Sequence, residues 1–137
     1  MLVIKPIENK SIQKEMVETV ASTYREAALA YAAYDCEEDG ETVRFPIGVC
    51  QFSLSEGKGI IDTLRPFSGV DDEEALMIMA RACTSFLFRC GFKTAVLLPQ
   101  AAERSLANKL EFIFNEDGTA DFDVFGYYTG PCHGCNG

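Results

Sequence analysis

The segment from Gly57 to Pro99 constrains the fold more than any other part of this chain. It opens on a β-branched apolar run, Gly59-Ile60-Ile61-Asp62-Thr63-Leu64-Arg65, and crosses a short connection through Pro66-Phe67-Ser68-Gly69. A long helix then starts at Asp71-Asp72-Glu73-Glu74, and a second apolar run follows at Thr94–Leu98. Strand, helix and strand at this spacing form a βαβ unit, the core on which many small ligand-binding enzymes are built. Gly91 ends the helix through a left-handed cap. Lys93–Leu98 is almost continuously apolar, as expected of a strand covered on both faces. Four carboxylates stand where the N-terminus of such a helix would otherwise attract an anion. The architecture therefore points to one function, and the charge at its key position opposes it.

The flanking sequence supplies the rest of a sheet. Val3–Ile7 reads as a strand. Ser11 reads as the cap of a helix running to about Arg25, with Ile12, Met16, Val17, Val20 and Tyr24 on one face. Ala30–Cys36 reads as a strand, Glu37–Gly40 as a polar turn, and Ile47–Leu54 as a further strand ending in the turn Ser55-Glu56-Gly57. After Pro99 come a short helix over Ala101–Leu110 and a final hairpin, with strands at Phe112–Phe114 and Ala120–Tyr128 around the turn Asn115–Gly118. With 137 residues, 47% of them hydrophobic, the chain is long enough to bury one core. The reading is a single domain over residues 1–130 and a tail over 131–137.

The net charge of -9, with twelve scattered basic residues, argues against nucleic acid or an anionic membrane as partner. The apolar start Met1–Ile7 is too short for a signal segment, and no run of about eighteen apolar residues occurs. A cytoplasmic protein is the expectation. Its six cysteines are then expected to be reduced, with Cys83 and Cys90 on one buried helix face. The tail Pro131-Cys132-His133-Gly134-Cys135 places the only histidine inside a C-x-x-C. Cys132, His133 and Cys135 are candidate metal ligands that need a further ligand from Cys36, Cys50 or a second subunit. A redox pair or a tail without a site are the other readings.

Two more positions carry chemistry. Asp62 lies mid-strand among apolar neighbours, where a carboxylate is costly unless it is paired or opens on a cleft, so it is the leading catalytic candidate. The alternative is a solvated side chain or one paired with Arg65; Glu56 is the second choice. The acidic helix start reads either as a cap, Asp71 with Glu74 three residues on, or as a binding site for a cation. The runs Met77-Ile78-Met79 and Phe86-Leu87-Phe88 exceed what one helix face requires. They suit a core between sheet and helix, or else a homodimer interface or a lipid-like pocket.

The order of elements resembles that of the GNAT acyltransferase superfamily over nearly the whole chain. The residues that carry the resemblance are Ile47-Gly48-Val49-Cys50-Gln51, Cys90-Gly91-Phe92-Lys93-Thr94-Ala95-Val96-Leu97-Leu98, and Ser105-Leu106-Ala107-Asn108-Lys109-Leu110-Glu111-Phe112. It implies an α/β (α+β) fold, with a mixed, mostly antiparallel sheet, a central βαβ and helices on both faces. It further implies acyl transfer from acetyl-CoA or another acyl-CoA to a small amine. Asp62 would act as general base and Tyr127 or Tyr128, placed on the last strand, as general acid, with cofactor contacts at Leu64, Arg65 and Ala75. The superfamily's pyrophosphate motif, Arg/Gln-x-x-Gly-x-Gly/Ala, aligns with Asp71-Asp72-Glu73-Glu74-Ala75-Leu76, which has neither the glycine nor the basic residue. The customary tyrosine aligns near Ala107, and the glycine of the "LGF" segment with Glu111. A non-catalytic small-molecule-binding or regulatory module on the same scaffold is the alternative.

Overall fold

The structure, a computed structural model, describes residues 1–130. Its elements in chain order are β1 (Leu2–Pro6), α1 (Lys10–Thr19), β2 (Leu29–Cys36), β3 (Val43–Ser55), β4 (Lys58–Pro66) and α2 (Glu73–Arg89). After them come β5 (Thr94–Leu97), α3 (Arg104–Lys109), β6 (Ile113–Phe114), β7 (Ala120–Asp123) and α4 (Val124–Thr129). The strands form one seven-stranded sheet in the order β1-β2-β3-β4-β5-β7-β6. Within it, β4 and β5 run parallel and every other neighbouring pair is antiparallel. The parallel pair is the expected βαβ unit, since strands joined through a helix return in the same direction.

The sheet has a helix layer on each face. α1 lays Met16, Val17 and Val20 over Ala32 and Val49, small side chains that let the helix sit close. On the opposite face the stripe Leu76, Met79, Ala80, Cys83 and Leu87 of α2 meets Cys50, Phe52, Ile61 and Leu64. The surplus apolar residues of α2 also find partners. Phe86 packs edge-on against Phe52, and Phe88 stacks on Tyr128 of α4, which covers a second side of the helix. Ile78 is left exposed.

Several boundaries differ from the sequence reading for local reasons. Asn9, not Ser11, caps α1, its side chain accepting from the amides of Ser11 and Ile12. The helix ends at Thr19 rather than Arg25, and the following turn takes Ala21 to φ 59°. Asp72, not Asp71, caps α2, accepting from the Ala75 amide at 3.1 Å. Cys90 is not in the core: it is the C-cap of α2 and is exposed, while Cys83 is buried. The largest correction concerns the end of the chain. Strand β7 stops at Asp123, whose carboxylate accepts from the Gly126 amide and starts α4, so Tyr127 and Tyr128 lie on a helix and not on a strand.

Two glycines set the distance between layers. A β-carbon on Gly48 would stand 2.7 Å from the Arg65 carbonyl oxygen and 2.8 Å from Leu76. One on Gly59 would meet the buried Leu87 at 2.4 Å. The Gly48 contact is the harder to relieve because it includes backbone. Gly48→Ala is expected to lower unfolding free energy by about 1–3 kcal/mol through overpacking, read from the midpoint of urea denaturation. An unchanged midpoint would show that β3 and α2 are not held this close.

Candidate functional site: the splay of the parallel strands

β4 and β5 pair only over Lys58–Ile61 and Thr94–Leu97. β5 then ends, β4 continues to Pro66, and the two diverge. The chain after β5 bends back across this opening. The Leu98 amide donates to the Ile61 carbonyl at 3.0 Å, and the Leu64 amide donates to the Ala101 carbonyl at 2.8 Å. Arg65 fastens the same segment, donating from Nη2 to the Gln100 carbonyl and from Nη1 to the Val20 carbonyl at 3.1 Å.

Outside this closure lies a cleft of about 710 Å³ between β4, the start of α2 and the β5–α3 connection. Leu64, Leu76, Pro99 and Leu106 form its apolar wall, and Arg65 contributes its guanidinium. Asp71, Asp72, Glu73 and Glu103 line the cleft as well. Two of these carboxylates are engaged: Asp72 caps α2, and Glu73 is ion-paired with Lys109. Ala75, expected at the cofactor site, is buried, and its amide is already bonded to Asp72.

Asp62 owes its environment to a β-bulge. Gln51 of β3 faces Thr63, and Phe52 faces Ile61, so Asp62 is the extra, unopposed residue. Both Asp62 and Thr63 thereby reach the α1 side of the sheet, while Ile61 and Leu64 stay on the α2 side. Only 4% of Asp62 is exposed. Its Oδ1 accepts from Gln51 Nε2 at 2.8 Å and from Thr63 Oγ1 at 2.7 Å, and its Oδ2 lies 3.5 Å from Nε of Arg25. Gln51 in turn accepts from Gln13 Nε2 at 3.0 Å and donates to the Thr23 carbonyl at 2.9 Å. The partner of Asp62 is therefore Arg25 and not Arg65. A second, polar cavity of about 130 Å³ opens beside Asp62, Arg25 and Ser22, and it shares Arg65 and Gln100 with the larger cleft.

Neither tyrosine is among the residues lining these two cavities. Tyr127 packs between Phe122 and Tyr128, with the Arg81 guanidinium 4.5 Å from its ring centre. The Tyr128 hydroxyl is bonded to Thr84 Oγ1 at 2.8 Å and to the Arg81 carbonyl at 3.2 Å, and burial raises its pKa. Glu56 sits in the β3–β4 turn, exposed at φ 50°. Cys132, His133 and Cys135 lie outside the described residues. Among the described ones, no three His, Cys, Asp or Glu side chains are grouped to hold a metal, and Cys36 and Cys50 are fully buried. No helix among the described residues is long and apolar enough to cross a membrane.

Gln13, Gln51 and Arg25 went unsingled in the sequence. A glutamine in a helix and another in a strand give no signal that they meet. Their bonds make Asp62 a structural residue: Asp62→Ala removes the acceptor that Gln51 and Thr63 share and leaves them only the Thr23 carbonyl and the Ser22 hydroxyl, at a total cost of about 1–3 kcal/mol. Chemical denaturation is expected to show a loss of that order, smaller for Asp62→Asn. No loss for Asp62→Ala would free the carboxylate from this structural role.

No protein-family model and no curated relative matches the sequence. Solved structures do match its shape. An IAA acetyltransferase from Bacillus cereus superposes with a TM-score of 0.63 at 14% identity, covering 88% of this chain and 97% of that one. A GNAT-family acetyltransferase from Staphylococcus aureus Mu50 gives 0.64 at 9% identity, covering 89% and 99%. YhhK from Escherichia coli, solved bound to coenzyme A, gives 0.62 at 14% identity, covering 90% and 98%. With its single parallel pair, its splay and its helices on both faces, the chain has the GNAT acetyltransferase fold.

Proposed function

We propose that this protein is a non-catalytic small-molecule-binding module on the GNAT scaffold. Its cleft between β4, α2 and α3 receives a ligand other than an extended acyl-CoA. The observation that carries this reading is the closure of the splay by the chain itself, through the Leu98–Ile61 and Leu64–Ala101 backbone bonds. A thioester arm inserted between β4 and β5 would have to displace both bonds, each worth about 0.5–1.5 kcal/mol net. A diphosphate at the start of α2 would also meet carboxylates. Two unit charges about 4 Å apart repel by roughly 4 kcal/mol at an effective dielectric near 20. Together these penalties consume most of the roughly 8 kcal/mol that micromolar affinity represents.

The position of the cleft favours a second reading. It lies against the start of α2 and the diverging end of β4, with Leu64 and Arg65 in its wall, and YhhK of the same fold is seen with coenzyme A. In that reading the chain is an N-acyltransferase acting on a small amine with acetyl-CoA or another acyl-CoA. Asp62 is its base, Tyr127 its acid, and Leu64, Arg65 and Ala75 its cofactor contacts. The engaged oxygens of Asp62 and the packing of the Tyr127 ring against Arg81 weigh against it.

Isothermal titration with acetyl-CoA decides between the readings. No heat up to about 1 mM is expected, together with no acetyl transfer to a panel of primary amines. Binding in the micromolar range, about −8 kcal/mol, would overturn the first reading.

A further inference from the structure

The apolar run through β5 has the pattern of a strand covered on both faces, yet the chain covers it on one. Ala95 and Leu97 lie in the core under α2, on the same face as Leu106 of α3 and Val124 of α4. Val96 alternates to the opposite face, which α1 covers only over β2 and β3, through Ala32 and Val49. From β4 to β6 no helix among the described residues lies over that face. The strand register lays two rows of side chains across it. Ser53, Ile60, Val96, Asp121 and Ile113 are successive partners on β3, β4, β5, β7 and β6, and Ser55, Lys58, Thr94 and Asp123 form the next row. Ile60 and Val96 are half-buried and belong to neither core cluster, and Ile113 is 70% exposed. None of these residues lines the cleft or the small cavity beside Asp62, so this face is separate from the ligand site proposed above.

The charges on the face show what covers it. Lys58 of β4 and Asp121 of β7 have no hydrogen-bond or ion-pair partner among the described residues. β5 stands between their strands and holds them about 10 Å apart, two strand spacings. A half turn about an axis parallel to β5 lays a second copy face down on the first, with β4 over the partner's β7 at the same level along the strands. Lys58 then stands over Asp123 of the partner subunit. Asp123 already bonds the Gly126 amide, which leaves Asp121, next along the same face, as the free carboxylate for that ammonium. Val96 meets its own copy on the axis, with one Ile60 on either side. We infer that this face is the isologous interface of a homodimer whose two-fold axis runs along β5. Five strands about 4.8 Å apart and four residues of about 3.3 Å each give a flat footprint of roughly 300 Å² per copy, at the weak end of specific interfaces. A reversible, concentration-dependent dimer is therefore expected.

Sedimentation velocity of the full chain from about 5 to about 500 µM tests this, because a weak dimer forms by mass action. The mass is expected to rise from 15.1 kDa toward twice that value. Val96→Lys, which sets two ammonium groups against each other on the axis, and Ile113→Lys, at an exposed edge position, are each expected to weaken association at least tenfold. Thermal melts establish that the variants are folded. Lys58→Glu and Asp121→Lys are each expected to stay monomeric alone, since each faces like charge in its own dimer. Mixed in equal amounts they are expected to form a heterodimer, because both ion pairs are then restored with reversed sign in one of them. A wild-type chain that is monomeric at the highest concentration overturns the inference. Association that survives both Val96→Lys and Ile113→Lys overturns the choice of face, and a mixture that stays monomeric overturns the two-fold arrangement.

Discussion

The buried chain of hydrogen bonds from Gln13 through Gln51 to Asp62 ties the first helix to the centre of the sheet. A carboxylate in this position is costly to bury without partners, and here the bulge in β4 turns Asp62 and Thr63 toward the same face so that Gln51 and Thr63 both donate to the Asp62 carboxylate. The turn after α1 is held by the same glutamine, through the Thr23 carbonyl and the Arg25 amide. The placement of Arg25 against Asp62, and hence the small polar cavity, follows from that turn. Remove the bulge and the alternation of β4 would send Thr63 into the apolar face under α2.

The other determinant is how the splay is filled. In a parallel pair that separates, the edge groups of the longer strand need partners, and in this chain they come from the segment just after β5. Arg65 reinforces that choice by bonding carbonyls on both sides of the opening, one after α1 and one before α3. The N-terminus of α2 is treated in the same way: its orphan amide at Ala75 is satisfied by Asp72 from within. At the splay and at the Ala75 amide the chain has supplied internal partners.

Much of this was legible in the residues. The βαβ unit, the long helix with its Gly91 terminator and the seven strands all follow from hydrophobic period and turn chemistry, which are local. Asp62 stood out because a carboxylate between isoleucine and leucine contradicts its surroundings. The helical ending at Val124–Thr129 was hidden because Phe122, Val124 and Tyr127 fit a strand as readily as a helix, and the cap that decides it is one bond from Asp123 to the Gly126 amide. Arg25 as partner of Asp62, 37 positions away in sequence, could not be read at all.

By itself the sequence determined the layer architecture, the burial of Cys83 on the inner face of α2, and the negative charge at the start of α2, since each depends on residue type and spacing along the chain. Tertiary structure alone decided that Asp62 is anchored by Gln51, Thr63 and Arg25, and that the splay is closed by Leu98 and Ala101. Those outcomes depend on which distant groups come within hydrogen-bonding distance, and that is set by a one-residue bulge and a chain reversal that leave no periodic mark in the sequence.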